Sequence, residues 1–176
     1  MALLTALLAS VLLQTGAAPE YQVKAVFLFN FAQFVDWPPP QPPEVPDSAA
    51  PLVIGILGED PFGGFLDATV RGERLGARPF VLRRYQKVDD VEACDILYIS
   101  RSEAKRMQAI LARLKERPIL TVSDVDRFAE RGGMIRLVTD RGRIRLEVNL
   151  EAAQGARLTI SSKLLRVAEI VTPRGR

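Results

Sequence analysis

Histidine is missing from all 176 residues, and cysteine and tryptophan occur once each, as Cys94 and Trp37. Without histidine the chain lacks the commonest metal ligand and the commonest general base at neutral pH, which removes His-ligated zinc and His-based catalysis. A single cysteine excludes an internal disulfide; Cys94, in EACDILYIS at the mouth of an apolar run, reads as a small core residue. Neither sign of charge dominates, since 24 Lys and Arg oppose 21 Asp and Glu for a net +3. Nucleic-acid binding would call for a basic stripe with aromatics interleaved. Arg136 to Arg145 comes nearest, but Asp140 and Glu147 dilute it, and it reads as a solvated hairpin. No charged side chain occurs in Met1 to Ala18 (MALLTALLASVLLQTGAA). That stretch is apolar and ends in small residues, the pattern of a secretory signal cleaved after Ala17 or Ala18, although its start carries no Lys or Arg. Met1 to Leu13 is short for a retained membrane span, and no cysteine follows to carry a lipid anchor. The remainder, 19–176, is expected to form one domain that buries its own core.

What is present is concentrated in Tyr21 to Trp37 (YQVKAVFLFNFAQFVDW), which holds four of the eight phenylalanines and the tryptophan. Helical spacing puts Gln22, Gln33 and Asp36 on one narrow side, with Asn30 at its edge. Val23, Phe27, Leu28, Phe31, Phe34 and Val35 face the other way, while Val26 and Phe29 intrude on the polar stripe. A helix so nearly apolar all round is expected to be buried; an interfacial membrane helix is the second reading. Pro38 to Pro51 contains seven prolines and reads as a stiff surface link. Beyond it, Leu52 to Leu57 is a strand buried on both faces. A helix is expected over Phe62 to Arg71, and strands over Pro79 to Tyr85, Asp95 to Ile99 and Ile119 to Ser123. Ser100 or Ser102 caps a helix running to about Glu116, and a short helical piece covers Asp124 to Glu130. Met134 to Val138 and Arg143 to Val148 alternate in polarity across a turn at Thr139 to Gly142, which predicts an antiparallel hairpin with one wet face. A last helix is predicted over Ile160 to Val171. The expected fold is α/β: a single domain with a mixed, mostly parallel sheet, an antiparallel C-terminal hairpin and flanking helices.

Three motifs suggest chemistry and fall short. GILGEDPFGG (Gly55 to Gly64) has the spacing of a phosphate-binding loop, but Gly64-Phe65 stands where Lys and Ser or Thr belong, and Glu59 and Asp60 would repel phosphate. In Ser161-Ser162-Lys163 neither serine lies three or four residues from the lysine, so a helix would not bring them face to face, and a serine N-cap accounts for them. Asp89, Asp90 and Glu92 lack the spacing of an EF-hand. No catalytic residue, cofactor or metal ligand is therefore assigned. The candidate binding residues are Asn30, which interrupts the most apolar helix; Trp37; Gly58, at the end of the first strand; Arg101, just past a strand end where open α/β sheets place ligands; and Asn149, which ends an apolar strand.

The segments NFAQFVDWP (Asn30 to Pro38), VIGILGEDPFG (Val53 to Gly63), ACDILYIS (Ala93 to Ser100), ILTVSDVDRFAERGGMI (Ile119 to Ile135) and IRLEVNLEAAQGARLTISSKLLRVAEIV (Ile144 to Val171) together resemble the YfiR family of small secreted bacterial proteins. Their order and spacing span nearly the whole of 19–176. The resemblance implies a periplasmic regulatory protein, not an enzyme, which represses an inner-membrane diguanylate cyclase or another sensor protein by contact. It also implies an outer-membrane lipoprotein that titrates the repressor, effects on cyclic di-GMP and biofilm, and a homodimer. With Cys94 alone, the chain departs from the cysteine-rich pattern of the best-known member, so redox control does not carry over. The second functional reading is a periplasmic small-ligand sensor or carrier using the crevice near Gly58, Arg101 and Ser123.

Overall fold

A computed structural model describes residues 17–39 and 50–173, with side chains from residue 19 on. The proposed leader through residue 16, most of the proline-rich link and the tail after Pro173 lie outside the described residues. Helix α1 covers Ala17–Phe31, followed by strand β1, Val35–Asp36, and, after the link, β2, Leu52–Leu57. Then come α2 (Gly64–Val70), β3 (Arg74–Leu75), β4 (Arg78–Tyr85) and β5 (Ile96–Ile99). A 3-10 stretch, Arg101–Arg106, leads into α3 (Met107–Leu114), β6 (Leu120–Ser123), β7 (Ile135–Asp140) and β8 (Arg143–Val148). The chain ends with α4 (Leu150–Gly155), β9 (Thr159–Ile160), α5 (Ser162–Leu165) and β10 (Ala168–Ile170).

Eight strands form one sheet in the order β10-β8-β7-β6-β5-β2-β4-β3. From β4 to β7 neighbours run parallel, whereas β7–β8 and β3–β4 are antiparallel and β10 lies parallel to β8. The alternation of side chains explains why β2 and β5 are apolar throughout. Leu52, Ile54, Ile56, Ile96 and Tyr98 face one core with α1, α2 and α4. Leu57, Leu97 and Ile99 face a second core with α3 and Phe128. Hairpin β7–β8 turns through Arg141 and Gly142, both at positive φ, the conformation that suits a two-residue turn between right-twisted strands. Its outer face carries Arg136, Arg145 and Glu147 in ion pairs, the wet face that the polar alternation predicts.

The mixed, mostly parallel sheet agrees with the sequence; three local expectations do not. The opening helix starts earlier than predicted and stops at Phe31. Val35–Asp36 is instead a short strand paired antiparallel with Thr159–Ile160, so Trp37 stands outside any helix. The helix is also not apolar-buried all round: Ala25, Leu28 and Phe31 meet the sheet, while Val23 and Val26 are nearly half exposed. Asp124 to Glu130 forms turns, with Arg127 at positive φ. The predicted last helix is a single turn, α5, between two short strands, because Ala168–Ile170 finds a ladder partner in β8. Tertiary pairing here overrides helical spacing that has nothing to pack against.

Candidate functional site

The most concentrated polar chemistry lies where β5 and β6 end, across which α1 begins. Asp124 directly follows β6, and its side chain is wholly buried. Lys24, on the second turn of α1 and also wholly buried, donates to Asp124 Oδ2 at 2.6 Å. The Tyr21 hydroxyl donates to the same oxygen at 2.9 Å, and the Lys24 ammonium stands 4.5 Å over the Tyr21 ring. Arg101, whose side chain is 64% exposed, places Nε 3.1 Å from Asp124 Oδ1 and donates from Nη2 to the Asp124 backbone carbonyl at 3.3 Å. Lys24 also contacts Glu20, whose Oε1 accepts the Thr139 hydroxyl of β7 at 2.6 Å. Tyr98, on β5, is buried beside the same carboxylate and packs edge-on against Phe62 at 4.8 Å.

Electrostatics follow from that geometry. Burial alone would raise the Asp124 pKa, but the Lys24 hydrogen bond and charge, the Tyr98 hydroxyl and Arg101 outweigh it and hold the carboxyl below the usual range. Glu20 behaves alike: burial opposes ionisation, yet Lys24 and Thr139 bring its pKa down. Burial and the nearby Asp124 charge push the Tyr21 phenol up to about 12 and the Tyr98 phenol higher still. The cluster is thus a fixed zwitterion whose phenols keep their protons. Neither tyrosine is poised as a base near neutral pH, and the carboxylate is engaged by two cations.

Of the five residues predicted for binding, two reach this end of the sheet. Arg101 joins the cluster. Gly58, at φ +91°, follows β2, and a side chain there would meet Ser102 Oγ at 2.4 Å and Glu103 Cγ at 2.9 Å. The crevice between β2 and β5 is filled by those side chains, and the Ser102 hydroxyl accepts the Glu59 amide at 3.0 Å. Trp37 sits at the opposite end of the sheet, where its indole donates to the Asp95 carbonyl at 3.2 Å. Asn149 is wholly buried and caps α4: its Oδ1 accepts the Ala152 amide at 2.9 Å, and its Nδ2 donates to the Ala129 carbonyl at 2.8 Å. Asn30 lies half-buried near the end of α1, apart from the others.

Sequence reasoning passed over Lys24, Asp124, Tyr21 and Tyr98. One signal was available: Lys24 is the only charge in YQVKAVFLFNF (Tyr21 to Phe31), and a lone charge in such a run must be paired once buried. Its partner, 100 residues away, leaves no mark in local spacing. Cys94 is largely shielded, with Sγ 3.1 Å from the Ile96 carbonyl, and burial followed by the Asp95 charge pushes its thiol up to about 12. Ser161 caps α5 through the Lys163 amide, at 3.2 Å, as expected. Among the described residues no group of three or more acidic or thiol side chains could hold a metal ion, and no helix is long and apolar enough to cross a membrane.

No curated protein matches the chain. The YfiR/HmsC-like family pattern, in contrast, matches residues 21–169. The matched span contains Tyr21, Lys24, Tyr98, Arg101 and Asp124, and reaches from the first turns of α1 to the middle of β10. On that match the chain belongs to the YfiR/HmsC-like family.

Proposed function

We propose that this chain is a periplasmic regulatory protein, exported by a cleaved leader, that restrains an inner-membrane diguanylate cyclase by direct contact. The observation that carries this reading is the family match across residues 21–169, which takes in nearly all of the folded chain. The geometry supports it in two ways. The charged groups at the strand ends are spent on one another, an arrangement suited to holding a shape. Several large apolar side chains, Val23 and Val26 on α1, Phe65 on α2, and Val167 and Ile170 around β10, remain open to a protein surface. Contact that favours the inactive cyclase shifts its equilibrium, and an outer-membrane lipoprotein that sequesters the repressor shifts it back. Partner binding as a homodimer belongs to the same reading.

Deleting the gene tests the proposal. Cyclic di-GMP and biofilm mass should rise, and a plasmid copy with its leader should restore both. Unchanged cyclic di-GMP in the deletion strain overturns the regulatory reading, and an uncleaved product in the cytosol overturns the export.

A further inference from the structure

The end of a parallel sheet where the strands run out is where open α/β folds take ligands. Here the chain's own α1 lies across it. The helix is anchored differently along its length. From Ala25 onward each turn gives the sheet a wholly buried apolar side chain, Ala25, Leu28 and Phe31 in succession. Before Ala25 none does: Pro19 and Val23 are exposed, and Tyr21 is only half-buried. The first two turns are held instead by polar contacts, those of Tyr21 and Lys24 with Asp124 and of Glu20 with Thr139, plus the Tyr21 ring set edge-on to Phe62 at 5.6 Å. Immediately beside them is a hollow of about 190 Å³ lined by Tyr21, Pro61, Phe62 and Phe65 with Gly63 and Gly64.

Lys24 sits in this setting as a ligand would. Its ammonium is gripped by a carboxylate at 2.6 Å and faces an aromatic ring at 4.5 Å, the two features that select a cation with an apolar stem. Were Lys24 withdrawn, the carboxylates of Asp124 and Glu20 would outnumber the single guanidinium of Arg101, leaving the site short of one positive charge. We infer that Asp124 and its aromatic neighbours form a binding site for a primary ammonium group, that Lys24 is its resident occupant, and that the first two turns of α1 are a strap that lifts to admit a lysine side chain from a partner. This inference is independent of the cyclase assignment, since it concerns a binding chemistry and no particular signalling protein.

Two measurements on the full exported chain test it. In hydrogen exchange, amides of residues 21–24 should open about tenfold or more faster than those of residues 28–31, because the strap lifts without the rest of the helix. Equal protection along α1 overturns the strap. For the site, Lys24→Ala is melted with and without n-butylammonium chloride, with sodium chloride at matched ionic strength as the control. The amine should raise the melting temperature of Lys24→Ala by about 2–4 °C and leave wild type and the Lys24→Ala/Asp124→Asn double variant unmoved. No rise in Lys24→Ala, or the same rise in all three proteins, overturns the site. If Lys24→Ala is unfolded by circular dichroism, the amine must refold it, and a chain that stays unfolded overturns the site equally.

Discussion

Two aspartates mark opposite ends of the parallel strands, and they are built on different principles. Asp124, past the end of β6, is wholly buried among Lys24, Tyr21 and Arg101. Asp95, just before β5, keeps its side chain 18% exposed; it accepts the Val53 amide at 2.7 Å and the Arg78 guanidinium at 3.0 Å, while its carbonyl takes the Trp37 indole. At Asp95 water can replace a lost partner. At Asp124 it cannot, so every charge there depends on the others. The first end of the sheet is a splice between loops, and the second is a closed polar knot under α1.

The contrast breaks first at Asp124. Asp124→Ala strands the Lys24 ammonium in the core and should lower unfolding stability by about 3–5 kcal/mol, measured by urea titration. A loss close to that of a surface substitution would show that water reaches Lys24 and that the two ends are alike. Acid sharpens the same comparison. Because the folded Asp124 pKa lies below its unfolded value, its stabilisation is complete above about pH 4 and is lost as pH falls through the folded pKa. Asp124→Asn should therefore make the fall in melting temperature below pH 4 shallower, though Glu20 and Asp67, also held low by their partners, keep part of it. An unchanged acid limb would remove Asp124 from the cause. The smallest effect is expected at the open end: Asp95→Ala forfeits hydrogen bonds that water partly replaces and should cost about 1–2 kcal/mol by the same titration. A larger loss there than at Asp124 would invert the comparison.

What the sequence discloses depends on the range of the interaction. β2 and β5 were legible because burial on both faces writes an unbroken apolar run, and the β7–β8 hairpin because one wet face writes alternation. Hairpin and parallel strands fell within a residue or two of their predicted ends, with β7 running two residues beyond Val138. Ala168–Ile170 was misread as helix, since Leu164, Leu165, Val167 and Ala168 do space helically and only the pairing with Leu146 to Val148 decides otherwise. Val35–Asp36 was lost for the same reason, its partner lying at Thr159–Ile160. At the candidate site Arg101 was found through its place after a strand, a local cue. Asp124 looked like the start of a turn, and Lys24 vanished among phenylalanines. Each needed the other to be noticed.

The short ladder between Val35–Asp36 and Thr159–Ile160 has a further consequence. With the Phe34 carbonyl accepting the Ser161 amide at 2.8 Å, it stitches the opening segment to the far end of the domain. Lys24 with Asp124 and Trp37 with Asp95 add two more seams. None of these seams runs through the covalent connection between residues 39 and 50. The piece that begins at α1 is thus docked on the sheet much as a separate peptide would be. A chain nicked in that connection should remain one assembled particle, and its two fragments, made apart, should find each other again.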